Sequence, residues 1–440
     1  VRTDPELVAH LYRRAGFGVS RADLPGLSSR DWDDLVDELV DGLHSSDPAG
    51  ERVRLPHLTS IPEANVPGYQ WNGYEEFVDL ITWWVERMVV TDTPLREKLV
   101  LLLHDQFPTS WDKVGYASLM YAQNEIFRTI GAGSFEALTQ AVASDPAMLI
   151  WLDTTTSHKE APNQNFAREL MERFTMGAGT YSQDDVIQAA RCFTGWELDY
   201  TSGQYYFNTY DHDDGIKKYL GHSGDLGGRD VISIATNTSA SHRWVVSRLW
   251  SWLAYPVVPG DPIVADLAAG YAKDLDIGNL LSAMLRHPAF RSPTALTGLV
   301  KQPIEYVVGA LRTLGLSTAA LPEGSLAWYL GQLGQQPFAP PSVGGWGQNR
   351  FWLTTTASNT YIQFASQLAG VASLTAIENL NGNPRAQVAA VSELLDVPSW
   401  SPQTSKALSL LAEDLKDDGG PWPAQQLVTL ALVSPEFMMN

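Results

Sequence analysis

The chain of 440 residues contains a single cysteine, Cys192. One thiol excludes an intrachain disulfide and any cysteine-based zinc cluster. It sits beside Ala190 and Phe193 in a stretch with helical spacing, so a buried, inert thiol is expected. No apolar run reaches the roughly 18 residues of a membrane-spanning helix. No secretory leader is recognisable either, and a cytoplasmic protein is expected. The chain opens at Val1 rather than Met, which leaves room for a leader already removed. Basic residues are scarce: 30 Lys and Arg stand against 50 Asp and Glu, a formal charge of -20. That balance argues against nonspecific binding to nucleic acid or to an anionic membrane, since both need a cationic face. Also missing are an HExxH pair, a phosphate loop, a dinucleotide fingerprint and a GxSxG elbow. The commonest protease, nucleotide-binding and esterase chemistries therefore lack their residues.

What is present suits a globular chain with a large core. Apolar residues make up 44% and charged residues 18%, close to the average for folded domains. Tryptophan is abundant at 15 copies. Some belong in the core, and others in a cleft would suit stacking against sugar rings. Composition does not separate the two.

Helical periodicity dominates the chain. In Glu75–Val90, Phe77, Leu80, Ile81, Trp84, Val85 and Met88 recur at threes and fours, which marks an amphipathic helix. Pro94 opens the next, where its missing N–H does no harm. Leu95, Leu99, Leu102 and Leu103 face inward there, and the helix runs into His104. Asp145–Asp153 reads as an apolar turn, Tyr205–Phe207 as a short strand, and Tyr361–Ala376 as a late helix. The proline- and glycine-rich run around Pro340 to Trp352 reads as irregular loop. The expected fold is mainly α, a single large multi-helix domain over 1–440. It carries long Gly/Pro-rich loop insertions and at most a small β-hairpin. The alternative is a subdivision into a helical core over 1–200 and a loop insertion with C-terminal helices over 201–440.

Asn163–Trp196 is the stretch most suggestive of a site. Taking Asn165–Phe174 as helix, Phe166, Leu170, Met171 and Phe174 fall on one side. Arg168, Glu169 and Glu172 fall on the other. Glu169 and Glu172 are one turn apart, so their carboxylates are neighbours. Repulsion between them raises one pKa, which equips the pair for acid–base work. The bland reading is a surface ion-pair ladder, Arg168 with Glu172 and Glu169 with Arg173, worth ~0.2–0.5 kcal/mol per pair. Asn163, Gln164 and Asn165 set three amides at the helix start, more than capping requires. Ser182 to Asp185 has the capping-box pattern. Gly195 ends the following helix and brings Trp196 towards the first helix's polar side.

At these residues the chain resembles a bacterial family known only as domain of unknown function 1800. The likeness runs from His10–Gly18, HLYRRAGFG, to Gly344–Trp352, GGWGQNRFW. Between them, Asn163, Asn165, Phe166, Ala167, Arg168, Glu169 and Leu170 match the family's central motif. Thr194-Gly195-Trp196, Asp211-His212-Asp213 with Lys217, and Pro340-Pro341 through Gly345-Trp346 match others. The resemblance implies locations and no settled reaction. It adds His104, Lys217 and Trp346 to Asn163, Asn165, Arg168 and Trp196 as substrate-binding candidates. It also adds His212 and Asp213 to Glu169 and Glu172 as catalytic candidates. Two positions depart from the family pattern. Gln164 stands where the family usually has Glu, which makes it the neutral replacement of a catalytic carboxyl or simple drift. Gln106 stands where many members have a second His.

The favoured expectation is a hydrolase or lyase acting on a saccharide-like or other small-molecule ligand through carboxylate acid–base chemistry. No cofactor is required by it. The expected partner across the cleft is Asp213, or the Gln164 position read as Glu. The alternatives are a metal-dependent enzyme using His104, His212 and carboxylates with a divalent ion, or a noncatalytic binding or scaffold protein. In the last case Glu169 is expected to be locked between Arg168 and Arg173. The loop Asp211–Gly215 does not have the spacing of an EF-hand. Oligomeric state is not written in the sequence.

Overall fold

The helices begin where the sequence supplies a cap or a proline. Asp4, Asn72 and Ser182 each accept a backbone N–H in the first turn of Pro5–Arg14, Gly73–Val90 and Gln183–Cys192. Pro94 sits at the start of Pro94–Gln106. The computed structural model describes residues 2–20, 22–380, 382–397, 399–418 and 423–439. Among these the chain is mainly α, as its periodicity implies. Buried side chains from Val8 to Phe437 belong to one contiguous core.

Pro94–Gln106 is the hub. Its leucines at 95, 99, 102 and 103 are buried as expected, but so is the opposite face, which carries Glu97, Lys98, His104, Asp105 and Gln106. A buried charge must find a partner, and each of these groups ties the hub to another part of the chain. Glu97 accepts from Arg87 at 2.8 Å and from Arg128 at 2.7 and 2.9 Å. Burial pushes its carboxyl up, but Arg128 and Arg87 outweigh that and hold it at about 2. Lys98 pairs with Glu305 and donates to the Gly16 carbonyl at 3.1 Å. Asp105 accepts from Arg248 at 2.6 Å and from the Trp346 N–H at 2.6 Å.

The loop after Gln335 is irregular, as its composition implies, yet it is packed. Phe338, Trp346 and Trp352 are buried. Gly345 lies at φ +77, and a Cβ there would stand 2.2 Å from Asp105 Oδ1. Only glycine lets the loop close over the hub carboxylate.

Two antiparallel hairpins interrupt the helices. β1 (Trp196–Asp199) pairs with β2 (Gln204–Phe207), and β3 (Lys217–Tyr219) with β4 (His222–Gly224). The strand expected at Tyr205–Phe207 is therefore present, and a second, shorter hairpin forms in the polar loop beyond it. The alternative boundary at 200/201 falls in the turn of the first hairpin, whose strands pair across it.

Two expected elements differ. Residues 145–153 form a helix, Pro146–Trp151, rather than a turn, because Asp145 caps the Met148 N–H and Pro146 is preset for a first turn. The late helix runs over Thr355–Val371, earlier than its apolar spacing places it, because Thr354 accepts from the Ala357 N–H and fixes the start.

Candidate active site

The site helix is short and changes pitch. Asn165–Glu169 is α-helical, and Leu170–Thr175 continues it as a π-helical turn. Phe166, Leu170, Met171 and Phe174 are buried, as their spacing predicts. Phe174 packs on Phe107 at the end of the hub at 5.4 Å, and Phe166 packs edge-on to Phe193 at 4.8 Å. Burying a side chain of this size is worth roughly 1.5–3 kcal/mol, so this face, not the surface charges, fixes the helix. Capping falls to Asn163, whose Oδ1 accepts from the Asn165 N–H at 2.9 Å. Asn163 Nδ2 in turn donates to the Asp153 carbonyl at 3.2 Å.

The π turn leaves carbonyls that lack intrahelical donors. Gln106 and Trp244 supply them. Gln106 Nε2 donates to Phe174 O at 2.6 Å, and Trp244 Nε1 donates to Arg173 O at 2.8 Å. This gives Gln106 a role that a histidine N–H could also fill. Unusual turns of this kind are frequent at functional sites.

Glu169 and Glu172 lie together on the part-exposed face, with 17% and 29% of their side chains accessible. Their surroundings differ. Glu172 Oε2 accepts from the Tyr181 hydroxyl at 3.0 Å, and its Oε1 lies 3.6 Å from Arg173. Glu169 Oε2 is buried without a hydrogen-bond partner, with Arg173 Nε 4.0 Å away. Burial, then the neighbouring Glu172, pushes the Glu169 carboxyl up against the pull of Arg173 and Arg168. Burial and the bond to Glu172 push the Tyr181 phenol up to about 12.

One rung of the expected ladder forms, Arg173 Nε at 4.0 Å from Glu169 Oε2, and the other does not. Arg168 does not meet Glu172. It turns back to Gln164 Oε1 at 3.2 Å and across to Gln183 Oε1 at 3.1 Å. Gln183 Nε2 also donates to Gln164 Oε1 at 2.9 Å. These three side chains clip the site helix to the capping-box helix Gln183–Cys192. Asn165 stays at the exposed edge, its Nδ2 3.4 Å from Asp153 Oδ2.

Six other candidates lie elsewhere. His104 is an interior residue, 1% exposed, enclosed by Trp84, Phe127 and Phe338, with Asn124 Nδ2 at 3.0 Å from its Nε2. Burial, then Arg128, holds its pKa at about 3, so the ring is neutral. Trp196 is 4% exposed and packs on Phe193 and Tyr205 at the start of β1, away from the polar face of the site helix. It offers no open ring to a ligand. Trp346 is equally buried above Asp105. Lys217 is buried on β3 with its Nζ 3.4 Å from Asp225. Asp213, the expected partner across the cleft, is bound by Arg191 through two bonds of 2.6 and 3.0 Å. Arg191, chiefly through those bonds, holds the Asp213 carboxyl down. His212 donates to Thr194 O at 2.8 Å from Nδ1 and packs on Phe207. Together these tie the loop to the end of Gln183–Cys192.

The metal set expected from His104 and His212 does not assemble, but another does. His158, Glu197 and Asp211 each offer one ligand atom, all within 4.8 Å of one another. His158 Nδ1 is 3.2 Å from Asp211 Oδ2. Asn208 Nδ2 bridges Glu197 Oε1 at 2.9 Å and Asp211 Oδ2 at 3.3 Å. One imidazole and two carboxylates suit a borderline divalent ion. No sequence spacing announces this trio, because the hairpin β1–β2 brings its members together. Tyr181 and Gln183 are likewise absent from a reading of that helix's faces, since they belong to the turn beyond it and to the start of the next helix.

Fold and site define a mainly α protein with an unequal carboxylate pair on a π-helical turn, flanked by amides. The chain belongs to the family described as Protein of unknown function (DUF1800), whose model matches residues 10–439. The resemblance carried by the motifs from His10 to Trp352 thus extends over nearly the whole chain. No curated protein and no solved structure matches it. No helix among the described residues is long and apolar enough to cross a membrane.

Proposed function

We propose that this protein is an enzyme, a hydrolase or lyase that acts on a saccharide-like ligand by proton transfer at Glu169 and Glu172. The observation that carries the proposal is the buried Oε2 of Glu169, which receives no hydrogen bond and has only Arg173 at 4.0 Å, beside a Glu172 held by Tyr181 and Arg173. A carboxyl pushed up next to a charged neighbour is poised as a general acid, and on losing its proton becomes the base. The scaffold alternative expects Glu169 locked between two arginines. Arg168 is committed to Gln164 and Gln183 instead, so Glu169 has one arginine, Arg173, at 4.0 Å rather than two around it.

Lyase chemistry is the favoured branch. Glycoside hydrolysis uses carboxyls on opposite sides of the bond, and Asp213 is occupied by Arg191. Two carboxyls on one turn serve one face of a substrate, which suits removal and return of a proton beside a carbonyl or carboxyl group. Asn165, Gln183 and Tyr181 are the groups at hand for substrate hydroxyls. Buried Trp196 and Trp346 play no stacking part. The proposed compartment, the cytoplasm, rests on the sequence alone.

The test is proton NMR in deuterated water with a panel of sugars and sugar acids. The proposal expects deuterium wash-in or elimination with at least one of them, lost in Glu169→Gln. An unchanged rate in Glu169→Gln, or no reaction with any panel member, contradicts it. A second reading is favoured by one observation, the His158, Glu197 and Asp211 trio: a divalent ion held there would polarise a ligand oxygen. Elemental analysis of unchelated protein and of His158→Ala separates the two readings.

A further inference from the structure

The motif HLYRRAGFG is not used by the site above, and it borders a cavity of about 670 Å³. The cavity lies between Pro5–Arg14, the turn at Phe17 and Gly18, and the C-terminal segment ending at Phe437 and Met439. Its size is in the range of small-molecule sites. Phe17, Leu24, Leu296 and Phe437 give it apolar walls.

Two cations face into it, Arg13 and Lys301. Among the described residues, neither has a hydrogen-bonded or ion-paired side-chain partner. Lys301 is 8% exposed, and its Nζ stands 4.0 Å over the Phe437 ring. The two cations repel each other, while Glu6 offsets part of the cost at Arg13 and Glu305 part of it at Lys301. Burial, then the repulsion of Arg13, lowers the Lys301 ammonium to about 7, with Lys98 adding to it. Glu305 is itself bound to Lys98 and to the Gln302 N–H at 2.8 Å. Arg14, behind Arg13, leaves Nε and one terminal nitrogen unpartnered. In a chain of formal charge -20, a confined group of cations with no ion-paired partner among the described residues is not a product of composition. Leaving buried charges uncompensated is destabilising, so the arrangement calls for an anion.

We propose that this cavity binds an amphiphilic monoanion, a carboxylate with an apolar chain, whose head group lies between Arg13 and Lys301. The carboxylates on the rim set the charge. Glu6 is exposed in the first turn of its helix, and Glu436 accepts from the Ser401 N–H at 2.8 Å and from Thr404 at 2.9 Å. These two and Asp396, which also lines the cavity, oppose a second negative charge on the ligand, so a monocarboxylate fits better than a phosphate. The apolar walls select against small anions such as acetate. This site is independent of the Glu169 reading and survives its failure.

Calorimetric titration of the full chain with octanoate tests the proposal, with octanol, acetate and inorganic phosphate as controls. Octanoate is expected to bind, each control roughly tenfold or more weakly. Arg13→Met and Lys301→Met are each expected to cost roughly tenfold in affinity. Binding weakens as pH rises through about 7, where Lys301 loses its charge. Without ligand, Lys301→Met melts no lower than the wild type, because it removes a desolvated charge that has no hydrogen-bonded or ion-paired partner among the described residues. Octanoate binding no tighter than octanol or acetate overturns the proposal, as does phosphate binding more tightly than octanoate. A Lys301→Met protein that binds octanoate normally also overturns it. The wild-type melting shift with octanoate gives a reading that needs no variant.

Discussion

Tyr181 donates its hydroxyl to Glu172 Oε2 at 3.0 Å, while Glu169, one turn earlier on the same face, keeps a buried oxygen with no donor. That asymmetry gives two similar side chains different surroundings, and burial, with Glu172 beside it, pushes the Glu169 carboxyl up. It also gives the two residues opposite expected responses to mutation.

Tyr181→Phe removes a donor to a carboxylate, and a loss of about 1–2 kcal/mol in unfolding free energy is expected. Glu169→Gln runs the other way. The folded state raises the Glu169 pKa, so it holds a proton that the unfolded chain releases. Wild-type stability therefore falls as pH rises through the raised value, and the Gln variant lacks that fall. Urea melts from acid to neutral pH check this. A Glu169→Gln protein less stable than wild type at neutral pH contradicts it.

Asp145 shows the same sign at a structural position. Burial pushes its carboxyl up to about 7, against its bonds from the Met148 N–H at 3.1 Å and from Gln123 at 2.7 Å. Its contribution is unfavourable above that value and disappears below the ordinary aspartate range, near pH ~4. Asp145→Asn keeps an acceptor for the helix cap and loses the charge. The variant is expected to gain on the wild type as pH rises from about 5 to about 8, seen as a growing difference in denaturation midpoints. A constant difference counts against the assignment.

Gln106 separates shape from chemistry. Its bond to Phe174 O closes the π turn beneath Glu169. Gln106→Leu leaves that carbonyl unpaired and is expected to cost about 1–3 kcal/mol. Gln106→His restores a donor and is expected to stay within about 1 kcal/mol of the wild type. Equal losses in the two variants, measured by chemical denaturation, contradict a donor role.

Gln164→Glu addresses the position where the family usually has an acid. Gln164 Oε1 accepts from both Arg168 and Gln183, and a carboxylate accepts the same two bonds. The variant is expected to fold with wild-type stability, within about 0.5 kcal/mol, and to gain turnover if the carboxyl is catalytic. No gain on any ligand that the protein binds contradicts that role and leaves Gln164 as part of the amide clip.

The helices and the buried face of the site were legible because spacing encodes them. Phe166, Leu170, Met171 and Phe174 recur with helical period, and all four are buried. Ser182 to Asp185 carries its capping box in plain sequence. The π turn was not legible, since the donors that satisfy its carbonyls, Gln106 and Trp244, are distant in sequence. Nor was the fate of Trp196, Trp346 and His104, because a tryptophan in a core and one in a cleft look alike in sequence. Arg168 illustrates a third limit. Its spacing from Glu172 suggests an ion pair, yet the changed pitch and a glutamine from the next helix draw it away. Cys192 needed no partner to be placed: it is buried, and burial pushes its thiol up to about 12.

The account depends on Glu169 being the carboxyl that takes up a proton first. Carbon-13 NMR of glutamate-labelled protein, with Glu169 assigned by substitution, follows that event directly. The account predicts a Glu169 titration above the ordinary glutamate value of about 4.3, shifted down in Glu172→Gln. A Glu169 that titrates at or below the ordinary value, or does not respond to Glu172→Gln, contradicts it.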